Sequence, residues 1–294
     1  MSSRLIGDVA TKRTDDLLAI VRGMEERSKS RPRTSQAPDF SADRQLPSWG
    51  EELRCMPNEL LRSALFNARN RNQPRRYYEN EEIAVIGRSA RVTYTGKELR
   101  QNDELVWLQL IHLARAVPLG SPVEFTAYSM VQALRRTKSK PNHQHVVRLL
   151  DSLRRLQANS LSVYSKRLMR GVSLSMIPKF EWQNEATGSR LKKWRAWVAP
   201  ELVELFGDVH FTHLQWAQRL ALPSGLATWM HGYLASHRDP LPIKLSTLHK
   251  GAGCTTDTPR KFKQLMTTAL IELKSVGFLD DWEIINDLVH VRRR

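Results

Sequence analysis

Apolar positions recur most regularly near the C-terminal end, between Thr258 and Gly277. Phe262, Leu265, Met266, Ala269, Leu270 and Leu273 follow one another at steps of three and four, which places them on one buried stripe of a helix. Thr258 can cap that helix, Pro259 suits its first position, and Gly277 can end it. Arg260, Lys261, Lys263 and Gln264 fall on the polar side of the first two turns. Trp282 to Ile285 and Leu288 to Val291 are β-prone runs joined by Asn286-Asp287, which suits a tight hairpin turn. A helix with a basic N-terminal face, backed by a hairpin, is the outline of a winged-helix DNA reader.

The same order of patterns occurs earlier. Pro57 to Phe66 predicts a helix, and Ile83 to Ile86 with Arg91 to Tyr94 predict a hairpin around Gly87-Arg88-Ser89. Asp103 opens a helix with Leu105, Leu108, Leu110, Ile111 and Ala114 inside. Val123 to Phe125 predicts a short strand and Ala127 to Arg136 a second helix. A third runs from about Asn142 to Asn159, with Val146, Leu149, Leu150, Leu153 and Leu156 as its stripe. Leu161 to Tyr164 and Val172 to Ile177 then predict a wing. Ser224 to Ser236, Ile243 to Leu245 and Thr247 to Lys250 repeat this order ahead of the Thr258 helix, offset by roughly 120 residues. Between the halves, Lys192 to Val198 alternates like a strand, Pro200 to Phe206 predicts a short helix, and Phe211 to Trp216 an extended run.

The expected class is therefore α+β: two tandem winged-helix domains, at 51–180 and 181–294, behind a flexible basic tail at 1–50. Ser, Arg and Pro dominate that tail, which predicts disorder apart from a short helix over Thr14 to Arg27. Within it, Gln45, Leu46 and Trp49 are spaced like the short peptides that dock on a sliding clamp. The alternative is a polar linker whose tryptophan pins it to the domain.

Composition sharpens the choice of partner. The 294 residues carry 46 Lys and Arg against 30 Asp and Glu, a net charge of +16, which points to a polyanion. No apolar run reaches membrane-spanning length, and two cysteines make no disulfide framework, so a cytosolic setting without membrane attachment is expected. The charge is uneven: Val131 to Arg170 holds ten basic residues and one acidic residue, Asp151. Arg135, Arg136, Lys138, Lys140, Arg155, Lys166 and Arg167 belong to this patch and are expected on phosphates. Base contacts are expected from the first turns of each reading helix. These are Asn142, His143, Gln144 and Arg148 in the first unit, and Arg260, Lys261, Lys263 and Gln264 in the second, with Lys250 and the cap residue Thr258 as further expected DNA contacts.

Catalysis has little support. No G-x-x-x-x-G-K-[ST] loop occurs, and the pairs His143/His145 and His210/His213 lack the setting of a metal-dependent nickase. Cys254 has no base beside it, and no cofactor is expected. Trp182, Trp194, Trp197, Trp216 and Trp229 are expected to pack cores, with stacking on an unpaired base as the alternative.

Several stretches together resemble the TrfA family of plasmid replication initiators: MPNELLRSALF (56–66), VTYTGKELRQNDELVW (92–107), PLGSPVEFTAY (118–128), LRRLQAN (153–159), SHRDPLPIKL (236–245) and INDLVHV (285–291). The resemblance implies paired winged helices binding repeated origin sites (iterons) as a monomer, with the homodimer inactive. It also implies opening of an A·T-rich stretch, single-strand binding there, and recruitment of a host initiator and helicase. Base reading would fall mainly on the helix from Thr258. The family's clamp peptide normally ends in leucine-phenylalanine, a pattern that neither Gln45 to Trp49 nor Gln36 to Phe40 reproduces. A transcriptional repressor on a palindromic operator is the competing reading of the same fold.

Overall fold

The computed structural model describes residues 45–294, apart from 88–89, 135–139, 167–168, 184–189, 207–209, 224 and 257. The expected helix at 14–27 and most of the tail lie outside the described residues.

The first part of the chain builds β1 (Leu53–Pro57), α1 (Asn58–Leu61), β2 (Phe66–Asn67), β3 (Tyr77–Ile83), β4 (Ala90–Lys97) and β5 (Leu99–Arg100). The helix expected to reach Phe66 stops at Leu61. Ser63 donates both its N–H and its hydroxyl to the Leu60 carbonyl, at 3.1 and 2.7 Å, and the chain leaves to form a bridge with Val85. β3 and β4 pair as a hairpin with Ile83 opposite Val92, but β3 ends at Ile83, so of the strand expected over 83–86 only Ile83 belongs to it.

The first helix–turn–helix unit follows. It comprises α2 (Gln101–Ala114), β6 (Val123–Phe125), α3 (Ala127–Ala133) and α4 (His143–Gln157), then the wing strands β7 (Asn159–Ser165) and β8 (Arg170–Leu174). Leu149, Leu153 and Leu156 of α4 are buried, while Val146 and Leu150 are half-buried at its edge. The wing does not stand alone. β7 pairs with β4 along its whole length, from Asn159 opposite Gly96 to Ser165 opposite Ala90, giving one four-stranded sheet in the order β3-β4-β7-β8.

The chain then returns through β9 (Lys179–Gln183), β10 (Arg190–Trp197), α5 (Leu202–Phe206) and β11 (Phe211–Gln215). β10 pairs with β6 and β9, and β11 pairs with β1, so all these segments close on the first unit. The division expected near Phe180 falls inside β9. One hydrophobic core runs from Leu46 to Trp216 and the next from Leu222 to Val289, so the packing changes hands at α6 (Trp216–Ala221).

The second unit comprises α7 (Leu226–Ala235), β12 (Ile243–Lys244), α8 (Leu245–Gly251), α9 (Pro259–Ser275), β13 (Leu279–Ile285) and β14 (Leu288–Arg293). Here the winged-helix sheet is complete within the unit, in the order β12-β14-β13. α9 starts as its sequence requires: the Thr258 side chain accepts the Lys261 N–H, and Pro259 occupies the first turn. Phe262, Met266, Ala269, Leu270 and Leu273 are buried. Leu265 is 42% exposed, which removes it from the expected stripe. At the hairpin tip Asn286 and Asp287 both have positive φ, 48° and 59°, the pairing a two-residue turn demands.

The two units share one packed body. Arg219 of α6 is wholly buried and joins Glu104 of α2 at 2.6 Å, Gln101 at 3.1 Å and the Thr228 carbonyl of α7 at 2.9 Å. Trp229 donates to the Ser63 carbonyl at 3.1 Å. Gly253 has φ +61°, and a Cβ there would sit 2.8 Å from Cβ of Asn67 in β2, so only glycine allows this approach.

Candidate nucleic-acid interface

The start of α9 presents Arg260, Lys261 and Gln264 to solvent, with Lys250 exposed at the end of α8. Their exposure follows from the helical period, since Phe262 and Met266 take the inward positions of the same turns. Lys263 is also exposed but reaches Asp287 of the hairpin turn at 3.4 Å, tying helix to wing. The Thr258 hydroxyl is already an acceptor within its own cap.

α4 offers His143, Gln144 and Arg148, all exposed. Asn142 is engaged as the cap: its Oδ1 accepts the His145 N–H at 3.1 Å. Lys140 and Lys166 are exposed. Arg135, Arg136, Lys138 and Arg167 lie outside the described residues. Arg155 is placed differently from the expectation. Its guanidinium turns inward onto Asp103, at 2.8 Å, so it serves the fold before any phosphate.

The clamp-type segment is also drawn into the fold. Leu46 and Trp49 are 5% and 7% exposed, Trp49 stacks on Phe206, and its indole N–H donates to His112 Nδ1 at 3.0 Å. Docking on a clamp would need both side chains to leave the core, whereas the pinning tryptophan matches the geometry. Among the other tryptophans, Trp194, Trp216 and Trp229 are buried. Trp182 is half-buried, stacked on Phe180 with Arg154 over its face at 5.3 Å.

Sequence reasoning missed the segment from Asn67 to Arg76, although four arginines within the eight residues 69–76 were a signal of charge. This segment forms one wall of a cleft of about 1090 Å³ whose other wall is the run Cys254–Thr256 and the first turns of α9. Arg69, Arg71, Arg75, Arg100 and Lys261 line it, and among the described residues no carboxylate does. Behind it, Glu98 and Asp103 are completely buried. Glu98 pairs with Arg69 at 2.8 Å and with Arg100; Asp103 pairs with Arg75 at 2.7 Å and with Arg155. Burial, and then the like charges of Arg155 and Arg100, pull Arg75 below the usual arginine range, against the opposing charge of Asp103. Arg100 also donates to the carbonyls of Asn70, Gln73 and Pro74, at 2.8, 2.9 and 3.1 Å, which holds the segment in place. Cys254 lines the same cleft, and burial pushes its thiol up to about 12, so it remains protonated at neutral pH. Among the described residues, no three His, Cys, Asp or Glu side chains are grouped to hold a metal ion, and no helix is long and apolar enough to cross a membrane.

α4 and α9 each begin with exposed polar side chains and are each followed by a hairpin. The family model described as TrfA protein matches residues 38–293. The chain belongs to the TrfA family. Its relative in Escherichia coli, the plasmid replication initiator protein TrfA, is 33% identical over 246 residues. The match covers 83% of this chain and 63% of that relative, so this TrfA-family chain spans less than two thirds of the relative's length. In fold it is similar to domains 2 and 3 of RctB, with a TM-score of 0.51 at 14% identity over 79% of this chain and 89% of that one. A Pi initiator protein in complex with iteron DNA aligns with a TM-score of 0.47 at 12% identity, over 66% of this chain and 95% of that one.

Proposed function

We propose that this protein is a plasmid replication initiator that binds directly repeated origin sites through its two winged helices. Membership of the TrfA family across both winged-helix units carries this reading, and the net charge of +16 supports it. The functional division falls at α6, where one core gives way to the other, with α4 and α9 as the two reading helices. Arg260, Lys261, Lys263 and Gln264 of α9 contact bases; His143, Gln144, Arg148, Lys140 and Lys166 of the first unit contact mainly phosphate. The protein works without catalysis of its own. Binding energy summed over adjacent repeats bends the duplex, opens an A·T-rich stretch and holds its single strand, and host initiator and helicase are then recruited. The monomer is the active form and the homodimer the inactive one.

Footprinting on DNA flanking the gene tests this directly. Protection of several tandem repeats, each about two helical turns long, with monomer stoichiometry per repeat is expected. One isolated palindrome occupied by a dimer would instead establish a repressor and remove the initiator reading.

A further inference from the structure

Among the described residues, the charges behind the cleft do not balance. Two carboxylates, Glu98 and Asp103, are shared among four arginines, Arg69, Arg75, Arg100 and Arg155. Asp103 further accepts from Ser152 at 2.5 Å, and the Arg100 N–H donates to it at 2.9 Å, so its remaining capacity is taken up by neutral donors. Nε of Arg69 is buried with no hydrogen-bond partner among the described residues. Positive charge held together in half-buried surroundings favours an anion within reach. The open side of this cluster is the cleft, where the exposed Arg71 and Lys261 add two further cations. Low-dielectric walls around one sign of charge focus the field into such a space.

The cleft is also firm. Arg100 clamps three carbonyls of the wall, Asn67 and Asn70 accept N–H groups two residues ahead at 3.1 and 2.9 Å, and Thr255 donates across to Gln73 at 3.0 Å. A preorganised cationic groove of this kind suits an extended polyanion. It extends to Lys261 and Leu265 of α9.

We propose that this cleft seats the sugar–phosphate backbone of the duplex beside the stretch read by α9, with Arg71 as the principal phosphate contact. The inference rests on the DNA-binding reading above and adds a third, sequence-independent contact between the two reading heads. Successive phosphodiesters along the cleft would offset positive charge that Glu98 and Asp103 leave uncompensated.

The test uses the full chain on duplex carrying its repeat, comparing wild type, Arg71→Ala and Arg71→Glu. Arg71 is exposed and has no carboxylate partner among the described residues, so neither variant should disturb folding. For Arg71→Ala, the log–log slope of binding against salt should become shallower by about 0.9. Affinity for specific and random duplex should fall together, by roughly three- to tenfold, and further for Arg71→Glu. Phosphate ethylation should block wild-type binding at positions flanking the α9 contacts, and Arg71→Ala should lose that sensitivity. An unchanged slope and ethylation pattern, with wild type still footprinting its repeats, would overturn the cleft assignment. Failure of wild type to bind any repeat would instead remove the function proposed above, and this inference with it.

Discussion

Arg219 shows how much a single residue decides. It is fully buried between the two units, and its charge is met by Glu104 and Gln101. Burial works against both charges, raising the Glu104 carboxyl and lowering Arg219, while their contact works back toward the ionised pair. Replacing only Arg219 with Met should cost about 3–5 kcal/mol, because Glu104 is left buried without its cation. Replacing Arg219 with Met and Glu104 with Leu together should recover most of that loss; denaturant melts of the single and double variants measure it. Histidines set the pH response. Burial holds His231 well below its ordinary 6.5, and His112 and His237 below it as well. The unfolded chain therefore binds more protons than the folded one below pH 6.5, so stability should fall as pH drops from 7 towards 5. Urea midpoints across that range check the sign, and His231→Gln should flatten the dependence. A midpoint that rises on acidification would contradict this account.

At the scale of elements, α9 was almost wholly legible. Its cap, proline, apolar stripe and turn residues are local devices, and each acts within a few residues of itself. Leu265 departs because the stripe is narrower than the spacing allows, and the neighbouring wall stands off across the cleft. Lys261→Ala and Gln264→Ala should each relax sequence choice, costing roughly 1–3 kcal/mol on the cognate repeat and little on random duplex. Competition binding measures this, and an equal loss on both DNAs would make these residues phosphate contacts. α4 was read less completely. Its exposed face was correctly placed, but Arg155 was counted as surface charge because its partner, Asp103, lies 52 residues away on another helix.

Across the whole molecule, the joint between the units governs how far apart the reading heads are held. Gly253 and Asn67 touch where α8 meets β2, and Ala68 donates to the Ala252 carbonyl at 2.8 Å. Gly253→Ala should strain the backbone by roughly 1–2 kcal/mol and push the second unit off the first. The expected readout is weaker binding to the full repeat with unchanged binding to a half-site, restored in part by a repeat with altered spacing. Equal loss on full and half sites would mean that the joint does not set the spacing. The domain limit belongs to this scale too. β9, β10 and β11 return to pair with β6 and β1, which no local pattern near Phe180 announces.

The sequence by itself determined the kind of protein: two winged helices in tandem, a strong positive charge, and a family resemblance spread along most of the chain. Periodicity, caps and turns are written locally, so they survive being read one segment at a time. Tertiary structure alone decided which basic residues are free. Arg69, Arg75, Arg100 and Arg155 look alike in the sequence as candidates for phosphate, yet each is drawn to a buried carboxylate, while Arg71 among them stays exposed. Charge is a property of a residue, but its availability depends on partners brought from far along the chain, and only the folded molecule assembles them.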